Sequence, residues 1–223
     1  MKKYFLAFIA ASNLLTVLLS AAPNRAESKG PNVLFIAVDD MRMNLGCYGD
    51  SVAITPNIGK LLHALDASGV ADNTIVVFWS DHGYHLGENG HWAKVTIREL
   101  DAQVPLLIAT PKGLAGNTDA IVEYIDLFPT LSDLCGLPEP GGLDGQSFTS
   151  VIENPKSGFR QAALTQVCRP WVSNKPIQQM GYSIRSEQYR YTQWIDYESA
   201  ELLSEELYNI EDDPFQRNNI MRS

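Results

Sequence analysis

Two pairs of adjacent side chains stand out for their chemistry: Asp39-Asp40 and Asp81-His82. Adjacent carboxylates repel unless a cation or hydrogen-bond donors compensate them. A hard divalent cation with oxygen ligands is one solution. The plainer alternative has one aspartate capping a turn and the other solvated. Asp81-His82 adds a third carboxylate and an imidazole, followed by Gly83, which lets the backbone turn sharply. A lone histidine is more often structural, but beside three carboxylates a ligand role is favoured. Oxygen donors suit calcium and imidazole suits zinc and its neighbours, so the residue types alone leave the metal open. The loop Tyr84 to Lys94, YHLGENGHWAK, carries His85 and His91 and ends on Lys94. A lysine returning to a metal site can hold an anionic oxygen. The alternative is a solvated loop with an ordinary lysine.

Each acidic pair ends an apolar run. Val33 to Val38 reads VLFIAV and Thr74 to Ser80 reads TIVVFWS. Such runs predict strands buried on both faces. Leu61, Leu62, Ala64 and Leu65 predict a helix between them, stopped at Gly69, with a turn at Asp72-Asn73. A third strand is expected at Val104 to Ala109, and a helix from an Asp126 cap to about Cys135. This alternation predicts an α/β fold, a largely parallel sheet flanked by helices, over residues 23–158. Ligands in such sheets sit beyond the carboxyl ends of the strands, where both pairs lie.

From about Phe159 the pattern changes. Ala162 to Val167 and Tyr182 to Ile184 read as short strands, and Tyr189 to Trp194 alternates after a Ser186-Glu187-Gln188 turn. Residues 159–223 are therefore expected to form a small antiparallel C-terminal subdomain with a hairpin. Residues 1–22 read as a signal peptide: Lys2 and Lys3, an interrupted apolar stretch, then Ser20-Ala21-Ala22. The expected location is periplasmic or secreted, with no stable membrane anchor after cleavage. The net charge of −9 argues against a nucleic-acid surface. Cys47, Cys135 and Cys168 allow one disulfide with a free thiol, or three thiols.

PNVLFIAVDDMRMNLGCYGD, TPNI, TIVVFWSDHGYHLGENGHWAK, VPLLI and EYIDLFPTLSDLCGLP resemble consecutive landmarks of the sulfatase family, within its iduronate-2-sulfatase-like branch. LDGQSF and ELYNIEDDPFQRNNI resemble its closing region. The resemblance implies an alkaline-phosphatase-like fold and metal-dependent hydrolysis of sulfate esters, often on sulfated carbohydrate. It implies that Asp39, Asp40, Asp81 and His82 are metal ligands, with calcium as the favoured cofactor and other divalent metals open. Lys94 corresponds to the lysine that contacts the sulfate, whereas His85 and His91 match no family ligand.

The family nucleophile, a cysteine in Cys-x-Pro-x-Arg converted to formylglycine, has no counterpart here. Cys47 precedes Tyr48-Gly49-Asp50, Cys135 precedes Gly136-Leu137-Pro138, and Cys168 precedes Arg169-Pro170-Trp171. No catalytic residue is assigned. After Thr55-Pro56-Asn57-Ile58 the chain runs through Gly59-Lys60-Leu61 almost directly into the helix before the Asp81 strand, as if a large internal segment were missing. A parallel sheet that loses strands exposes edges and apolar faces, so low solubility or dependence on a partner is expected. Besides an ester hydrolase inactive alone, two readings remain: a non-catalytic calcium- or glycan-binding relic, and a phosphoesterase using a hydroxyl such as Thr55.

Overall fold

Residues 30–50, 55–111, 113, 115–171 and 174–222 are described in the computed structural model. The expected signal segment lies outside them. Asn32–Val38 (β1) is followed by Pro56–Ala67 (α1) and Thr74–Ser80 (β2). Pro56 opens α1, where a missing N–H costs nothing, and Gly69 beyond its end has φ 70°. β1 and β2 pair in parallel, with Val38 opposite Ser80. The strands therefore end in step, which places Asp39 beside Asp81.

The chain then stays at that end of the sheet. It forms a ribbon of His85–Leu86 (β3) and Trp92–Ala93 (β4), then the single turn Glu99–Ala102 (α2). Leu106–Ala109 (β5) enters beside β2, with Leu106 opposite Trp79 and Ala109 opposite Val76. That pairing is antiparallel. The described three-stranded sheet, ordered β1-β2-β5, is therefore mixed and not largely parallel. A parallel β5 would need a connection that carries the chain back along the sheet. Here the connecting residues form the ribbon and α2 at one end.

β2 is covered on both faces. Ile36, Leu45 and Phe78 form one core cluster, and Leu127, Phe148 and Val151 form the other, against Phe35 and Trp79. The second includes Leu127–Leu134 (α3) and Thr149–Glu153 (α4). Expected burial fails at β1 and α1. Among β1 residues Ile36 alone is fully buried, and α1 buries none, leaving Leu61 and Leu62 more than a third exposed. Among the described residues β1 has a neighbour on one side only, and none covers the outer face of α1.

Asp126 does not cap α3 with its side chain. It is already helical, at φ −80° and ψ −17°. Capping falls one turn earlier, where Glu123 and Asp126 close a capping box around the 3-10 turn Tyr124–Asp126. All three cysteines are free thiols.

Ala162–Arg169 (β6), Gln179–Ser186 (β7), Tyr189–Asp196 (β8) and Leu202–Asn209 (β9) form an antiparallel meander. The expected hairpin is its central pair, with Arg185 opposite Arg190. The sequence reading gave no strand at β9. LLSEELYN lacks clean alternation, and its register slips at Trp194/Ile195.

Candidate functional site

Successive side chains on an extended strand face opposite ways. Asp39 and Asp40 nevertheless reach one ammonium: Lys94 Nζ lies 2.6 Å from Asp39 Oδ1 and 2.8 Å from Asp40 Oδ1. The backbone explains this. Asp40 has φ 61°, a left-handed conformation that aspartate tolerates better than most residues, so the strand alternation is broken there. The Asp40 N–H donates weakly to Asp81 Oδ1 at 3.4 Å, which joins the two strand ends. Ser80 locks the junction: its hydroxyl accepts from Met41 N–H at 2.9 Å and donates to the His82 carbonyl at 2.8 Å.

The charges reinforce one another. The hydrogen bond from Lys94 holds the Asp39 carboxyl below the usual carboxylate range. The bonds to Asp39 and then Asp40 raise the Lys94 amine, which stays charged throughout the physiological range. Asp40 Oδ1 is buried, and its partner among the described residues is the Lys94 ammonium at 2.8 Å. His82 Nδ1 lies 2.9 Å from the Gly83 carbonyl. A carbonyl only accepts, so Nδ1 carries a proton, and in the neutral imidazole Nε2 is the nitrogen with the lone pair. That is the tautomer a metal-bound histidine adopts, with the other nitrogen donating to a backbone carbonyl.

Three carboxylates and this tautomer suit a hard divalent cation. Among the described residues, however, no three or more acidic, histidine or cysteine side chains already converge as a metal cage. The donor set is open, with the Lys94 ammonium between two of its carboxylates.

The Lys94 loop is held by groups that sequence reasoning missed. Asp101 is buried and accepts from Thr96 N–H at 2.8 Å, and its carbonyl accepts from Gly83 N–H at 2.9 Å. A Cβ on Gly83 would lie 1.9 Å from the Leu100 carbonyl oxygen, so glycine permits this close approach. His85 is fully buried, 3.3 Å from Thr96 Oγ1 and 3.6 Å from Asp101 Oδ1. Burial lowers its basicity more than the Asp101 charge raises it. His85 is therefore a structural histidine. His91 Nε2 lies 3.3 Å from the Lys94 carbonyl and steadies the loop. Burial alone would raise the Glu88 carboxyl, but the Leu86 N–H at 2.6 Å and Arg42 at 2.8 Å bring it down to about 2. No sequence pattern marked Asp101 or Glu99, since both sit in an ordinary polar stretch.

The backbone beside Lys94 is strained: Ala93 has φ 133° and Val95 φ 76°. A β-branched residue in the left-handed region costs about 1–3 kcal/mol. Val95→Gly is expected to raise stability by about 1 kcal/mol, less what glycine adds to the unfolded chain's entropy. Urea unfolding would measure it, and a destabilised variant would show that Val95 is not strained.

The site can be compared with known proteins. Residues 57–137 match the sequence profile of the family described as Sulfatase. Mouse iduronate 2-sulfatase is 32% identical over an alignment that covers 73% of this chain and 41% of that protein. The chain belongs to the sulfatase family. N-acetylglucosamine-6-O-sulfatase of Bacteroides thetaiotaomicron is 31% identical, over 76% of this chain and 30% of that protein. A solved complex of a protein with its substrate D-glucosamine-2-N,6-O-disulfate superposes with a TM-score of 0.65 at 32% identity, over 75% of this chain and 34% of that one. This sulfatase-family chain thus spans less than half the length of the relatives it matches. Its fold is that of the sulfatases, with a three-stranded mixed sheet and a four-stranded antiparallel one.

Proposed function

We propose that the chain holds the sulfate group of a sulfated carbohydrate, with Asp39, Asp40, Asp81 and His82 taking a divalent cation, calcium by preference, and Lys94 taking an anionic oxygen. The observation that supports this best is the meeting of Lys94 with both Asp39 and Asp40 at the joined ends of β1 and β2. The cation would supply positive charge for a sulfate oxygen. Lys94 would hold a second oxygen by a charge-assisted hydrogen bond. The related proteins named for sulfated sugars support the substrate class. The N-terminal segment supports export to the periplasm or beyond, and no described helix is long and apolar enough to cross a membrane.

The chain carries no Cys-x-Pro-x-Arg segment, so no side chain is assigned as nucleophile. Holding without turnover is the expected behaviour of this polypeptide alone. Calorimetric titration should show one calcium site, weakened about tenfold or more by Asp81→Asn through loss of a charged ligand. With calcium present, Lys94→Met should weaken inorganic sulfate binding by about 10- to 100-fold, the worth of one charge-assisted bond. Arylsulfate hydrolysis should match the buffer rate. Calcium that neither binds nor raises the melting temperature would count against the metal. Hydrolysis abolished by Asp81→Asn would overturn the absence of turnover.

A further inference from the structure

We infer that Arg169, at the end of β6, is a positioning residue for Lys94. The inference rests on the reading of Lys94 as the sulfate-holding group. Lys94 lies between two residues of positive φ, Ala93 and Val95. Such a conformation persists only where its surroundings over-determine it. The C-terminal sheet supplies that constraint. Arg169 Nη2 donates to the Val95 carbonyl at 2.7 Å, while Nη1 donates to its neighbour's carbonyl, Cys168 O, at 3.1 Å. Its guanidinium lies over the Trp194 ring, 5.5 Å from the centroid, which fixes the plane of the fork.

Two further contacts seat the same loop. Arg190 Nη1 donates to the Ile97 carbonyl at 3.1 Å. A Cβ on Gly181 would come within 2.9 Å of Ile97 and 2.8 Å of Trp194, so the sheet surface is shaped to receive the loop there. Arg190 and Gly181 grip the loop at Ile97, three residues beyond Lys94. Arg169 grips the carbonyl of Val95, the residue next to Lys94. It therefore links the C-terminal sheet to the direction in which the Lys94 side chain leaves the backbone, towards Asp39 and Asp40. Arginine suits this role because its planar fork holds two carbonyls while stacking on an indole.

The test is hydrogen–deuterium exchange by mass spectrometry on the full chain, comparing peptides over residues 92–97 and 74–80. Arg169→Met is expected to speed exchange in 92–97 by about tenfold or more, with 74–80 unchanged, because the opening is local. Arg169→Lys, which keeps one charged donor, should recover much of the protection. In calcium and inorganic sulfate, Arg169→Met should weaken sulfate binding as Lys94→Met does. Unchanged exchange in 92–97 would overturn the inference. So would a rise in both peptides that Arg169→Lys does not recover, or wild-type sulfate affinity in Arg169→Met. A wild-type chain that takes no sulfate would instead sink the reading of Lys94, and the exchange results would still decide the role of Arg169.

Discussion

Glu99→Ala is expected to destabilise the chain by about 3–5 kcal/mol, the cost of stranding one partner of a buried ion pair. The Glu99 carboxylate is 6% exposed. It accepts from Arg185 Nε at 2.9 and 3.0 Å, and from Arg190 Nε at 2.9 Å and Nη2 at 2.6 Å. Arg190 is itself 2% exposed, and burial already lowers its basicity against the pull of Glu99. Alanine would leave that guanidinium buried beside Arg185, a like charge, with no anion. A domain holds about 5–15 kcal/mol in all, so the loss is a large share. For a chain of this size it lowers the melting temperature by about 6–20 °C. Arg190→Met should cost less than Glu99→Ala, because Arg185 still neutralises the glutamate. The double variant Glu99→Ala with Arg190→Met should recover part of the loss, since the buried pair is then removed whole. Chemical denaturation of all three decides it. A double variant as unstable as the sum of the singles would show that packing, and not stranded charge, sets the cost.

The second large effect belongs to Asp126, whose side chain is fully buried. It accepts from Arg160 Nε at 2.7 Å and Nη2 at 2.5 Å, from Gln146 N–H at 2.8 Å and from Glu123 N–H at 2.9 Å. Asp126→Ala would leave those donors unmatched at the joint between α3, α4 and the approach to β6. The expected loss is about 3 kcal/mol, the lower end for a buried pair because Arg160 is one-fifth exposed. Its pH dependence has a definite sign. Burial pushes the Asp126 carboxyl up, but the bonds from Arg160, Gln146 and Glu123 outweigh it and leave the group below its usual value of 3.8. A carboxyl depressed in the folded state contributes stability above the unfolded pKa and loses it as pH falls through the folded one. The gap between wild type and Asp126→Ala should therefore be constant from neutral pH to about pH 5, and close below about pH 4. A gap that persists to pH 2 would mean that the carboxylate's charge contributes little.

Both predictions concern buried carboxylates paired with distant arginines, and neither was marked as such in the sequence. Asp126 reads locally as a helix cap because aspartate before an apolar run is the usual cap pattern. Its real partners, Gln146 and Arg160, lie 20 and 34 residues away, beyond any local pattern. Glu99 is paired with arginines 86 and 91 residues on. The ligand candidates were legible for a different reason. Asp39, Asp40, Asp81 and His82 each follow an apolar run directly, and a buried strand delivers whatever ends it to one edge of the sheet. Lys94 was marked by the resemblance to the sulfatases, since a loop lysine has no pattern of its own.

The sequence by itself determined the strands β1 and β2, the helix between them and the acidic pairs at their ends. Apolar run length and turn residues are local properties, so these could be read directly. Tertiary structure alone decided the rest. β5 runs antiparallel because its connection stays at one end of the sheet. Asp39 and Asp40 share one ammonium because Asp40 turns to positive φ and Lys94 returns from a distant loop. That loop holds its shape because arginines of the C-terminal sheet grip it. Pairing over such separations depends on which surfaces meet, and that follows from packing the whole chain.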